Sequence, residues 1–418
     1  MARMRRRAFL QKAALGMGVL ATARPSRAFA QATQPITIPF LLTLSGPAAV
    51  IGERVKLGAE ITADLINRSG GILGRNVQLK FVDDTGKTDG AVSAIRELIS
   101  DGNRFVGGCF LSQSLQAMLP VIRDAKVVLL GCGGISLSFT HEDFTRYFFP
   151  GVENDYQRAR AMAHLAAEKF PNVLNWGATL SDTQSYSESY ANFSKFAGEE
   201  YGKSGKHATF ADSHRFKFGT TDFRSQISQL AASPVDGLYS IVLGADGIAM
   251  WQQAAAFDLR KKIKVVMDQT IDFSIAKVLK NQLPNHLWTV VTWYSGLYKD
   301  QPFSRSFYDE YVKRTNDPIP SGYVQYGNQT VNIMAQVLRA TDGSTDPDRM
   351  IKVLETDSFT TAKGKYRYRP RDHLLEADIN IVELNPSDSS PGFVISDAIK
   401  FPSIEFALPP DPGRPAKL

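Results

Sequence analysis

Two loops in the first third of the chain carry the side chains best suited to chemistry on a small molecule. One holds Ser112, Gln113 and Ser114; the other reads Gly131-Cys132-Gly133-Gly134-Ile135-Ser136. Hydroxyls beside glycines offer hydrogen-bond donors and acceptors with little bulk, which suits non-covalent capture of a polar solute. Each loop follows a short apolar run, Phe105-Val106-Gly107-Gly108 and Val127-Val128-Leu129-Leu130. Between them, Leu115, Met118, Leu119 and Ile122 fall at helical spacing. The unit therefore reads strand, loop, helix, strand, loop. Two parallel strands that release their loops at one sheet edge build a crevice there, and open α/β sheets bind ligands in such crevices.

Catalytic motifs are missing from the sequence. Gly131-Cys132-Gly133-Gly134 lacks the third glycine of a dinucleotide fingerprint, and there is no Gly-x-Ser-x-Gly elbow, P-loop or His-Glu-x-x-His. The six histidines (His141, His164, His207, His214, His286, His373) have no metal-ligand spacing, and two cysteines are too few for a metal cage. An enzyme is not expected, nor a cofactor or metal. Cys109 and Cys132 each lie just past a predicted strand, and the sequence leaves open whether they form a disulfide or stay as buried thiols.

The first 30 residues read as an export signal. Arg5-Arg6-Arg7-Ala8-Phe9-Leu10 is a twin-arginine pattern, a moderately apolar stretch runs from Ala13 to Ala23, and Ala28-Phe29-Ala30 supplies a cleavage site before Gln31. No cysteine sits there to take a lipid anchor. The chain holds 48 Lys+Arg against 42 Asp+Glu, but seven of the basic residues belong to 1–30, leaving 41 against 42. With the basic excess confined to the signal, nucleic acid is not an expected partner. No later apolar run approaches the roughly 20 residues needed to cross a bilayer.

The elements around the two loops alternate. Residues 36–42 form a first buried strand ending at Ser45-Gly46-Pro47; 52–67 an amphipathic helix; 77–82 a strand closed by Asp83-Asp84; and 91–99 a helix that Asp89 can cap. This β-α repetition predicts a parallel sheet covered by helices on both faces. A second alternation follows Pro150: helix 157–169, strand 173–178, helix 190–200, helix 223–232, strand 237–243, helix 248–257 and strand 263–267. Helices at 304–314 and 329–338 come next, then an Arg- and Tyr-rich section opening at Gly364 and a Pro-rich end from Leu408.

Several ordered motifs resemble the periplasmic binding proteins of the branched-chain amino acid (Leu/Ile/Val-binding) type, the substrate receptors of ABC importers. They are Leu44-Ser45-Gly46-Pro47 with Gly52, Gly58-Ala59, Asn67-Arg68-Ser69-Gly70-Gly71-Ile72-Leu73-Gly74-Arg75, Asp83-Asp84, and Gly364 through Tyr368 to His373. The resemblance covers about residues 36–385. It implies an α/β, two-lobed periplasmic-binding-protein fold of type I, each lobe a mainly parallel sheet flanked by helices, with three hinge crossovers near Pro150, Thr292 and Tyr366. The lobes would be 36–149 plus 293–365 and 150–292 plus 366–405, with 406–418 a loose tail. The implied function is a periplasmic, monomeric receptor that captures a small organic solute, an amino acid or related amide or carboxylate, and delivers it to an ABC permease in the inner membrane. A ligand sensor docking on a signalling receptor is the alternative.

The resemblance also places candidate ligand contacts. Ser112 matches a family serine, Gly133 and Gly134 match positions that offer backbone groups, and Ile135 stands where a threonine is usual, with Ser136 one residue on. Ile has no hydroxyl for an amino-acid headgroup. On the facing lobe Tyr186 matches a tyrosine that closes over the ligand, beside Ser185. The family's usual carboxylate falls near Gln269, with Asp268 adjacent. An inward Asp268 would welcome an ammonium; Gln269 alone would suit a neutral or acidic solute. Ile51 and Leu243 fall at two further positions that are aromatic in amino-acid binders, which makes the side-chain pocket more aliphatic.

Overall fold

The computed structural model describes residues 34–417 except Pro47 and Asp258, so the export signal expected in 1–30 lies outside the described residues. From Ile36 onward the chain forms one compact unit built on two main sheets. The first comprises β1 (Ile36–Leu42), β2 (Val77–Asp83), β3 (Phe105–Gly108), β4 (Val128–Gly131) and β5 (Phe148–Phe149), in the order β2-β1-β3-β4-β5. All of its pairings are parallel. The β3–β4 pairing brings Gly108 opposite Gly131, so the Ser112 and Gly133 loops leave the sheet side by side.

The second sheet contains β6 (Asn175–Ser181), β7 (Thr209–Phe216), β8 (Gly237–Ile241), β9 (Val265–Asp268) and β10 (Leu287–Val291), paired in parallel. A small sheet of β11 (Phe359–Thr361), β12 (Gly364–Tyr368) and β13 (Leu375–Glu376) comes next. The hairpin of β14 (Asp378–Pro386) and β15 (Phe393–Pro402) then extends the second sheet antiparallel, giving the order β15-β14-β10-β9-β8-β6-β7.

The chain passes between the sheets after β5 and again after β10. The third passage corrects the sequence reading, which put it near Tyr366. Tyr366, Tyr368 and Leu375 are buried in the same core as Phe40 and Phe149, so β12 and β13 stay with the first sheet and the chain crosses between Glu376 and Asp378. The end of the chain is also more tightly held than expected: Leu408 and Ala416 pack against the second sheet's core, and the Gly413 N–H donates to the His141 carbonyl at 2.6 Å. Asp89 does not cap its helix. Thr88–Ser100 begins one residue before it, and the Asp89 carboxylate accepts from the adjacent Gly90 N–H.

The helix Val324–Ala340 lies on the helix Ala49–Arg68 at backbone contact. A Cβ at Gly327 would overlap the Val55 carbonyl oxygen and the Ala59 nitrogen, and one at Gly58 would overlap the Val324 carbonyl. Gly327→Ala is therefore expected to cost about 2–3 kcal/mol, because backbone rather than a movable side chain must yield. Urea unfolding checks this, and a change within about 0.5 kcal/mol would show that the helices separate freely.

Candidate functional site

Loops from the two sheets meet where their strands end. Ser112 starts the helix Ser112–Ala125, and its Oγ accepts the Ile135 N–H at 3.2 Å, joining the two loops of the first lobe. The Ile135 carbonyl accepts from the Asp155 N–H at 2.6 Å, and Asp155 in turn takes a hydrogen bond from Ser185 Oγ at 2.9 Å. One chain of polar contacts thus runs from Ser112 to the facing lobe. Tyr323, just before Val324–Ala340, reaches across to donate its hydroxyl to the Thr270 carbonyl at 3.0 Å, and Ser321 Oγ donates to Asp272. Leu243, from the loop after β8, packs into the first lobe's core.

Other expected contacts are already committed within their own lobes. The N–H groups of Gly133 and Gly134 donate to the carbonyls of Cys109 and Phe110 at 3.3 and 3.2 Å, so neither is free for a ligand. Ser136 Oγ accepts from the Ser138 N–H and pairs with Ser138 Oγ at 2.9 Å, capping the turn Leu137–Thr140. Asp268 is turned inward to its own lobe, accepting from the N–H groups of Thr270 and Ile271 at 2.6 and 2.5 Å. Burial pushes its carboxyl upward in pKa against these hydrogen bonds. Gln269 donates through Nε2 to Ser189 Oγ at 3.1 Å and to the Tyr239 hydroxyl. Its Oε1 has no protein partner. Cys109 and Cys132 are free, buried thiols, and burial drives both well above the ordinary thiol range. Among the described residues no group of three or more His, Cys, Asp and Glu could hold a metal ion.

The structure adds a charged cluster that the sequence reading missed. Asn154 and Gln157 form a capping box that starts the helix Asp155–Lys169 immediately after the first crossing, placing Asp155 and Arg158 in its first turn. Arg158 is 4% exposed and donates through NH2 to Glu153 at 3.3 Å; the other Glu153 oxygen takes the Lys363 ammonium from the β11–β12 turn. Burial opposes ionisation of Glu153, but Lys363 and Arg158 outweigh it and hold the carboxyl below its ordinary range. Burial lowers the Lys363 ammonium despite Glu153, and Arg158 adds to that effect. Arg158 itself is raised: burial works against it, but Tyr326 and Glu153 win.

Around Arg158 stand tyrosines from both lobes. The Tyr326 hydroxyl faces Arg158 and Thr292, and Tyr186 lies within electrostatic reach of Tyr326, Arg158 and Asp155. Tyr323 lies within reach of Tyr326 and Tyr186. Burial raises all three phenols, so they stay protonated and can donate. Asp155 is buried two residues from Glu153 and behaves oppositely: burial drives its carboxyl up to about 7, overriding the Ser185 and backbone hydrogen bonds.

Two α/β lobes with hydroxyls, a guanidinium and apolar walls gathered at their junction define a solute-binding clamshell. Its surroundings fit that class, and the chain is related throughout to proteins of that kind. A periplasmic binding protein family model matches residues 35–390, and the chain belongs to that family. It is 28% identical over 211 residues to Leu/Ile/Val-binding protein homolog 3 of Brucella melitensis, an alignment spanning 49% of this chain and 53% of the relative. Over 356 residues it is 22% identical to the leucine-, isoleucine-, valine-, threonine- and alanine-binding protein of Pseudomonas aeruginosa, covering 85% of this chain and 91% of the relative. Among solved structures, an ABC-transporter solute-binding protein from R. palustris in complex with benzoate shares the fold, with a TM-score of 0.75 at 17% identity over 87% of this chain and 96% of that one. By family the chain is a solute-binding protein rather than an enzyme.

Proposed function

We propose that this protein is exported by the twin-arginine signal in 1–30, is cut near Ala30, and works in the periplasm as a monomer. It traps one small organic solute between its lobes, and an ABC permease in the inner membrane receives that cargo. The moving bodies are 36–149 with 293–376 and 150–292 with 378–405, the last boundary following the third crossing. Rotation of one body against the other lets the same polar groups capture and release a solute.

Ser112, Ser185 and Tyr186 are the proposed hydroxyl contacts, with Ser136 capping its own turn and the Gly133-Gly134 turn shaping the loop behind Ile135. The observation that supports a solute without an ammonium is the burial of Asp268, whose Oδ1 is held by the Thr270 and Ile271 N–H groups of its own loop. With Asp268 fully buried beneath its own loop, Gln269 at the family's acidic position and Ile135 at its threonine position, an α-ammonium has poor partners. A neutral or acidic solute fits better. The names of the relatives support the receptor reading, and the benzoate complex extends it to carboxylates without an amine.

Thermal-shift screening of the purified protein against amino acids, amides, aromatic acids and short organic acids tests this. A ligand bound only by the native state raises the melting temperature, by an amount that grows with its concentration over Kd. A neutral or acidic compound is expected to give the largest shift. Turnover of a compound, with no stabilisation by any, would defeat the receptor reading.

A further inference from the structure

The side chain of Arg158 is out of place by ordinary helix rules. It sits in the first turn of Asp155–Lys169, where the helix dipole disfavours a cation, and it is almost wholly buried. Burying a guanidinium is costly unless its donors and charge are met. Glu153 and Tyr326 meet part of that requirement, but Nε is buried with no hydrogen-bond partner in the protein. Arg158 also shares its carboxylate partner: Glu153 pairs with both Arg158 and Lys363, and the half-buried Asp378 acts on Lys363 rather than on Arg158.

Tyr326 comes from one lobe and Tyr186 from the other, both within electrostatic reach of the guanidinium, and Ile51 and Leu243 belong to the apolar core that Ile135 packs against. We propose that the Arg158 guanidinium holds the carboxylate of the captured solute, and that the cargo is an organic monocarboxylate with an apolar body rather than an α-amino acid. An anion brought between the lobes supplies both an acceptor for Nε and a further counter-charge. The phenols of Tyr186 and Tyr326 can donate to the same carboxylate. This assignment rests on the receptor reading above and narrows it.

Calorimetric titration with benzoate, 4-methylpentanoate, the amide of each, and leucine tests the assignment. The wild-type protein is expected to bind at least one acid about tenfold or more tightly than its amide, since only the acid pairs with the guanidinium. Arg158→Gln should weaken that acid by about 100-fold while changing the amide by less than about threefold; Arg158→Lys, keeping charge but not the fork, should fall between. Equal affinity for acid and amide in the wild type overturns the assignment without any variant, so a misfolded Arg158→Gln protein does not shield it. Undiminished acid binding by a folded Arg158→Gln protein overturns it as well. Leucine binding with neither acid bound removes the role of Arg158 and leaves the receptor standing. No binding of these probes or of any compound in the wider screen removes both.

Discussion

Glu153→Ala is expected to destabilise the protein by about 3–5 kcal/mol, because it removes the buried carboxylate with which both Arg158 and Lys363 pair. Lys363 and Glu153 are 2% and 1% exposed, so water cannot replace the lost partner. Lys169→Ala is the control. It removes an ion pair with Asp397 whose side chains are 36% and 39% exposed, and such a pair contributes at most about 1 kcal/mol. Urea unfolding of both variants provides the comparison; similar midpoints would mean that the hinge cluster carries no special weight. The native carboxyl of Glu153 lies below its unfolded value, so its contribution is full above the ordinary carboxylate range. It disappears as pH falls through the lowered native value.

Asp155→Asn should act in the opposite pH range. The native carboxyl of Asp155 is raised from 3.8 to about 7, so the folded protein keeps a proton that the unfolded chain releases. The stability that proton confers is full below the unfolded value and is lost as pH rises from about 4 to about 7. A shift of that size corresponds to about 4 kcal/mol at most, and about 2–4 kcal/mol is a reasonable expectation for a buried group. Asn keeps acceptor and donor atoms near Ser185 and Tyr156 and never ionises. The variant should therefore be the more stable protein at pH 8 and nearly equal to wild type at pH 4. Melting curves at the two pH values decide it, and a constant difference would show that Asp155 does not titrate in this range.

Local sequence was enough for the lobes' parallel strands because β1, β3, β4, β8 and β9 are short apolar runs buried on both faces. It was not enough for β7 and β15. These are the edges of the second sheet, half exposed and carrying Asp212, His214, Arg215, Asp397 and Lys400, so their alternation is blurred by polar residues. In the site, Ser112 joins the Ile135 N–H and so ties together the two loops that the sequence singled out. The charged cluster was not legible in the sequence. Lys363 is 210 residues from Glu153, which lies five residues before Arg158, and each reads locally as a solvated surface residue; only the crossing of chains at the lobe junction buries them together. The signal that was present is Asn154-x-x-Gln157. As a capping box it fixes the helix start beside Pro150, and with it the position of Asp155 and Arg158 at the hinge rather than on an outer face.

The backbone contact between the helices bearing Gly58 and Gly327 also limits how this receptor can change its cargo. Tyr323 and Tyr326 precede Gly327 by four residues and by one, where the helix lies main chain against main chain. Under the proposed reading of the site, the side chains at 323 and 326 can be exchanged on a backbone that is packed in place. A library varied at those two positions alone would sample different chemistries on a constant wall, and its members should differ in what they bind far more than in how they fold.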